Sequence, residues 1–298
     1  MCRSVGRAAR AARRIAGVPA GDGSSRSRRC RYAPWPLLWR RRILVNERPA
    51  KRSTNTVQDQ PRLHAEQGLL MDASIAMAPG QAHYLGHVLR RQPGDRVRLF
   101  NAADGEWLVR IDALRKDRGS FVVEQRMRPP APEPGPVLVF APIKRDGTDL
   151  VVRMATELGA SALQPVMTER TNTARINGER WVAIATEAAE QCERLSVPAI
   201  AEPVRLMDLL GTWDAERPLL AAIERAEQRG AAGDTVAAWR ARTDPGVQPG
   251  LLVGPEGGFS PAELELLRTR PFVVTVSLGR LILRAETACL AGLAGLVS

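Results

Sequence analysis

Read for apolar and polar positions alone, the chain has three textures. Over residues 1–60 the apolar positions follow no sustained period. From Arg62 to about Arg128 they alternate with polar ones, the pattern of half-buried strands. Beyond residue 137 short continuous apolar runs take turns with stretches spaced near 3.6, as buried strands and helices do. In the second texture "APGQAHYLGHVLR" predicts a short amphipathic helix closed by the turn "RQPGD". "RVRLFNAADGEWLVRIDALRKDRGSFVVEQRMR" alternates around turns at Asp104-Gly105 and Arg118-Gly119, a β meander that predicts a small barrel. "RPPAPEPGP" follows as a stiff linker.

In the third texture "VLVFAPI" reads as a strand, "GTDLVVRMATELG" as a helix stopped by Gly159, and "ALQPVM" as a strand. "GERWVAIATEAAEQCERL" reads as a helix whose residues Val182, Ile184, Ala185, Ala188 and Ala189 face the core. After "PAIAEPV" come "PLLAAIE", the stretch "LLVGPEGGFSPAELELL", and "FVVTVSLG" before a final helix. Such alternation predicts an α/β fold with a mostly parallel sheet, whose ligands sit at the carboxyl ends of the strands. The expected organisation is an extension over 1–60, a barrel domain over 61–128, a linker over 129–136 and the α/β domain over 137–298.

Residues 251–267 carry the sharpest local signal. Leu251, Leu252 and Val253 form an apolar run without alternation, as in a strand covered on both faces. Ser260, Pro261 and Glu263 form a capped helix start. Between them Gly254, Gly257 and Gly258 permit positive φ and close backbone approach to a ligand. A phosphate loop would need Gly-Lys-Ser/Thr, and the dinucleotide fingerprint G-x-G-x-x-G; this loop has neither and carries Glu256. It holds a ligand that is not a polyphosphate, or it is a tight turn and nothing more.

Charge and cysteines narrow the class. Of 43 basic and 32 acidic residues, 15 and 2 lie in residues 1–52, a net of +13, so the remainder is −2. The high pI belongs to the extension, whose composition predicts disorder. Arg-rich and acid-poor, it also reads as a mitochondrial transit peptide or as a gene start placed too far upstream. The barrel region is mildly basic, compatible with RNA contact or with a solvated surface. No apolar run approaches membrane-spanning length, which predicts a soluble protein. Cys2, Cys30, Cys192 and Cys289 form no C-x-x-C, and His83 and His87 have no third partner nearby, so neither a disulfide framework nor a metal is expected.

The second glycine turn reads "VSLGRLILRAETACLAGL". Together with "GPEGGFSPAELE" it resembles the paired C-terminal motifs of the uridine-N3 methyltransferases of small-subunit ribosomal RNA, within the SPOUT superfamily. "RMATELGASALQPVMTERT" and "ATEAAEQCERLSVPAI" are similar to the internal motifs of that family. "PRL" at 61–63 and "HYLGHVLRRQPGDRVRLF" resemble its PUA-like RNA-binding module. The likeness covers about residues 62–298.

The resemblance implies a trefoil-knotted domain that binds S-adenosylmethionine, an obligate homodimer, and 16S rRNA of the small subunit as substrate. It implies a cofactor clasp made of Gly254, Glu256, Gly257 and Gly258 in one loop and Leu278, Gly279, Leu283 and Thr287 in the other. Ile282 and Leu283 would wall the adenine, or simply pack in the core. It places Arg284 and Glu286 of "LRxET" and Glu190 and Arg194 of "EQxxR" at the chemistry, the arginines holding RNA or base and Glu190 orienting them. Helical spacing would put Glu190 and Arg194 one turn apart on a shared face, where they could equally be a surface ion pair. Arg62, Arg90 and Arg91 would bind RNA. The competing functions are a SPOUT enzyme with another RNA target, a silent ribosome-assembly factor and, weakest, a nucleotide hydrolase.

Overall fold

A computed structural model describes residues 60–172, 176–223 and 234–297; the extension before Gln60 and its expected disorder lie outside them. Two sheets pack into one compact unit. The first is built by β1 (Arg62–His64), β2 (Ser74–Ala76), β3 (Arg96–Asn101), β4 (Gly105–Leu114) and β5 (Gly119–Arg128), in the order β1-β3-β4-β5-β2. The three long strands are the expected meander, antiparallel throughout, while β1 runs parallel to β3. Register shifts between β4 and β5 near Glu106, Leu108 and Ile111 let the ladder bend around its core of Leu85, Val97, Leu99, Val109, Ile111, Phe121 and Val123.

The helix expected between β2 and β3 is α1 (Gln81–His83), which widens at once into a π-type turn, Tyr84–Val88. The wide turn is closed by the Leu89 N–H on the Tyr84 carbonyl at 2.9 Å. It keeps Leu85 buried and leaves His83 and His87 exposed and stacked, ring centroids 4.8 Å apart.

The second sheet follows the alternation in the sequence: β6 (Val137–Phe140), α2 (Arg145–Glu157), β7 (Ala162–Met167), α3 (Gly178–Gln191), β8 (Ala199–Ile200), β9 (Val204–Arg205), α4 (Leu206–Thr212), β10 (Leu219–Ala222), α5 (Val236–Arg242), β11 (Gly250–Val253), α6 (Pro261–Arg268), β12 (Val273–Val276) and α7 (Ala285–Val297). Its order is β12-β10-β11-β6-β7-β8, with β9 beside the end of β7, and every pairing is parallel. Successive residues of a strand face opposite ways, so both faces bury apolar side chains. Leu138, Phe140, Leu251 and Val253 pack with α2, α3, α5 and α7 through residues such as Val152, Trp181, Trp239 and Leu293. Val137, Val139 and Leu252 pack the other way, onto Leu209 and Leu210 of α4 and Leu267 of α6.

The register aligns Phe140, Val253, Ala222 and Val276 across four neighbouring strands. The loops that follow β6, β11, β10 and β12 therefore leave one edge of the sheet together. Below that edge α6 starts with the expected reciprocal cap, the Ser260 side chain accepting from the Glu263 N–H at 3.2 Å and Glu263 from the Ser260 N–H at 2.8 Å. The buried Glu263 has a further task, since its second oxygen accepts from the Glu169 N–H at 2.8 Å and ties down the loop after β7. Glu263→Ala strands both amides, and its unfolding free energy should fall by about 1–3 kcal/mol. Equilibrium denaturation checks this, and a loss below about 0.5 kcal/mol, ordinary for a surface change, would contradict it.

Candidate active site

The first glycine loop, residues 254–259, is anchored by buried Pro255 and Phe259 and presents Glu256 and Gly257 to solvent. The Gly258 N–H closes a turn on the Pro255 carbonyl at 2.8 Å, and the turn requires φ of 67° at Gly258. Of the three glycines that permit positive φ, only Gly258 takes it; Gly254 and Gly257 do not. Gly254 has a packing reason instead: a Cβ there would lie 3.0 Å from the Phe259 ring. Gly257 is held from outside, its carbonyl accepting from Arg170 Nη1 at 2.8 Å. Arg170, exposed on the loop after β7, is the site residue that the sequence reading missed; its place in "QPVMTERT" was the available signal.

The second loop, residues 277–284, leaves the same edge two strands away, on the other side of β10. Its start is pinned by the Ser277 N–H on the Asp234 carbonyl at 3.0 Å. Gly279 has φ of 118°, with open space where a Cβ would stand. Leu278 and Leu283 pack on the main core, whereas Leu281 and Ile282 are 80% and 62% exposed. Leu283 is therefore part of the packed floor, and Ile282 is free to meet a ligand. Arg284 is exposed just before α7, with half-buried Glu286 and exposed Thr287 in that helix's first turn.

The "EQxxR" residues are elsewhere. Helix α3 stops at Gln191, and Glu193 takes φ of 62°, so Arg194 does not stack one turn above Glu190. Nor is it a surface ion pair, because the residue is 8% exposed. Its Nη1 donates to the carbonyls of Thr156 at 2.8 Å and Ala160 at 3.0 Å, and its Nη2 to the Ser196 hydroxyl at 3.0 Å. Burial pulls its pKa down and the Glu133 carboxylate 3.7 Å away pulls it back. Ala160 lies just ahead of β7, so Arg194 belongs to the amino edge of the sheet, opposite the glycine loops. A role for its guanidinium on RNA gives way to a role in holding the end of α2. Glu190 accepts from the His64 N–H at 3.0 Å; burial pushes its carboxyl up in pKa against that bond. Along the same helix Trp181, Ala185, Ala188 and Ala189 are buried while Val182, expected inside, is 47% exposed.

Arg62 is likewise no surface residue. Its side chain is 3% exposed, pairs with Glu106 at 3.0 Å and lies 3.5 Å over the Phe100 ring. Of the three expected RNA contacts, Arg90 is exposed and Arg91 half-buried, with its Nε lacking a partner. They follow the stacked histidines in the chain. A Cβ on Gly86 would sit 3.6 Å from Leu114, so the β4-β5 hairpin tip lies against this turn and adds exposed Arg115, Lys116 and Arg118. Among the described residues no group of three or more His, Cys, Asp or Glu could hold a metal ion.

Arg194→Ala would leave the Thr156 and Ala160 carbonyls without their buried donor. Its unfolding free energy should fall by about 2–4 kcal/mol, with Arg194→Lys recovering part because it lacks the planar fork. A loss under about 1 kcal/mol in denaturant titration, the scale of a surface pair, would contradict the buried role.

A model of an RNA methyltransferase domain matches residues 132–297, and one of an RNA methyltransferase PUA domain matches residues 79–124. The chain is 32% identical over 234 residues to Ribosomal RNA small subunit methyltransferase E of Rickettsia conorii, covering 78% of this chain and 93% of that protein. It is 32% identical over 222 residues to the protein of the same name from Synechocystis, covering 74% and 71%. Among solved structures it resembles a putative methyltransferase of Legionella pneumophila with bound cofactor SAM, with a TM-score of 0.69, 26% identity, and coverage of 80% of this chain and 96% of that one. The methyltransferase E of Neisseria gonorrhoeae bound to S-adenosyl methionine gives a TM-score of 0.68 at 26% identity, covering 79% and 95%. With its parallel sheet, paired glycine loops and preceding β domain, the chain belongs to the ribosomal RNA small subunit methyltransferase E family.

Proposed function

We propose that the chain methylates N3 of a uridine in 16S rRNA of the assembled small subunit, with S-adenosylmethionine as donor. The observation that carries this reading is the shared sheet edge from which both glycine loops leave, each with one positive-φ glycine and open space beside it. These loops fit a cofactor of that kind. Exposed backbone around Gly254, Glu256, Gly257 and Gly258 offers hydrogen bonds, Gly279 and Thr287 offer more, and Leu278, Leu283 and exposed Ile282 offer apolar cover. Bound there, S-adenosylmethionine supplies an electrophilic methyl group.

The chain's own part is to place the acceptor in line and to manage the N3 proton. Arg284, exposed at the end of the second loop, offers fixed paired donors to the carbonyls flanking N3 and stabilises the charge left when the proton departs. Glu286 sits two positions on, placed to orient Arg284 or to take that proton. Arg90 and Arg91, with the hairpin cations, form the RNA-facing surface of a PUA-like domain over 61–128, linked through 129–136 to the methyltransferase domain over 137–298. Beyond its first turn helix α7 is apolar on all sides; its Ala294 and Val297 remain exposed, as do Leu281 and Ile282 in the loop before it. A helix of that kind calls for further cover, which supports a homodimer. The reading also carries the family's trefoil knot in the C-terminal segment and a cytoplasmic site of action.

The test is transfer of labelled methyl groups to 30S subunits from cells lacking the gene. A methyl at N3 blocks Watson–Crick pairing, so reverse transcription should stop at one uridine. Label on another base, or in free RNA but not in subunits, would overturn the reading. Gly258→Val forces a β-branched residue into positive φ at a cost of about 1–3 kcal/mol, so cofactor affinity should fall roughly tenfold or more. Gly257→Val, without that strain, should be milder in calorimetry; equal effects would mean that the Gly258 turn does not shape the cofactor site.

A further inference from the structure

The β domain meets the parallel sheet through a small apolar cluster, Phe100 with Ala189 and Leu195, wrapped in an ionic network that nothing in the sequence advertises. At its centre Glu106 is 1% exposed. One carboxylate oxygen accepts from Arg62 Nε at 3.0 Å and Arg128 Nη1 at 3.3 Å, the other from Arg98 Nη1 at 3.0 Å. The opposite side of the joint is the turn that ends α3. Arg62 donates to the carbonyls of Ala189 at 2.8 Å and Arg194 at 2.6 Å. Arg128 donates to the Glu193 carbonyl at 2.7 Å, and Arg98 pairs with the Glu193 carboxylate at 3.2 Å.

Three guanidiniums thus face two carboxylates, and the surplus positive charge meets carbonyls at the negative pole of α3. Guanidinium forks hold their partners in fixed geometry, and a buried charge that slides from its partner is stranded. Contacts between domains of one chain otherwise leave relative motion as the default. We propose that this network is a locked joint that sets the angle of the β domain on the sheet, making Glu106 and Arg128 positioning residues for the RNA. The inference rests on the function proposed above. The basic surface is on one sheet and the glycine loops are on the far edge of the other, so the joint's stiffness keeps a gripped RNA aligned with the methyl group.

Arg128 is 44% exposed on its side chain, so Arg128→Gln loosens the joint without stranding a buried cation; Glu106→Gln is the stronger lesion. For Arg128→Gln, kcat/KM toward 30S subunits should fall about tenfold to a hundredfold, the scale of an ångström of misplacement, while S-adenosylmethionine affinity and Tm hold. Arg128→Lys should restore part of the loss. Spin labels at Val88→Cys and Met207→Cys, in a chain with Cys2, Cys30 and Cys192 changed to Ser, should give a narrow distance distribution that broadens in both joint variants. An unchanged distribution, or turnover that falls in step with cofactor affinity and Tm, would overturn the proposal. If the unaltered chain failed to methylate subunits, the proposed function would fall while the label distances still decided the joint.

Discussion

Burial of short parallel strands on both faces is the constraint from which the rest follows. Leu251 and Leu252 are fully buried and Val253 nearly so, though they point alternately to opposite faces. A strand of that kind is stable only between two helical layers. Helices α2, α3, α5 and α7 supply one layer, and α4 and α6 the other. Parallel pairing then sends each strand's following loop to the same edge. The two glycine loops leave the same edge because Val253 and Val276 both pair with Ala222, although more than 20 residues separate them in sequence.

The two edges of the sheet do different work. At the carboxyl edge the loops are open and leave Glu256, Gly257, Gly279, Arg280 and Arg284 to solvent. At the amino edge the polar groups are satisfied within the chain. Arg194 holds the end of α2, Arg62 the end of α3, and Glu133 accepts from the N–H groups of Leu195 and Ser196 at 2.9 Å each. Helix C-termini leave carbonyls without partners, and a buried guanidinium is an economical donor for several at once. An amino edge closed by internal hydrogen bonds, opposite an open carboxyl edge, suits an enzyme that must align a large substrate with a small cofactor.

Electrostatics at this joint also explains why the body's weak net charge was uninformative. The basic residues of the β domain divide by role. Arg62, Arg98 and Arg128 face Glu106, and Arg96 and Arg110 pair with Glu124. Arg90, Arg115, Lys116 and Arg118 remain exposed around the π-type turn. Summing them hides a basic patch beside a neutralised interior.

Local pattern alone determined the elements whose cause is local. The β4-β5 hairpin, the alternation of strands and helices after 137, and the reciprocal cap of Ser260 and Glu263 were legible because pleat, helical period and capping act within a few residues. The motifs likewise marked the paired glycine loops. Strands β1 and β2 were not legible, since three residues carry no period and their partners are distant in sequence. The widened turn at Tyr84–Val88 was missed for a similar reason, as a single extra residue leaves the apolar pattern nearly unchanged. Tertiary structure alone decided the fate of individual charges. Arg62, Arg194 and Arg284 are the same residue type within short motifs, yet two are buried against helix ends and one is exposed at the open edge. Whether a guanidinium meets solvent depends on which carbonyls and carboxylates the fold brings to it across 34 to 132 residues of chain, and no local pattern encodes that distance.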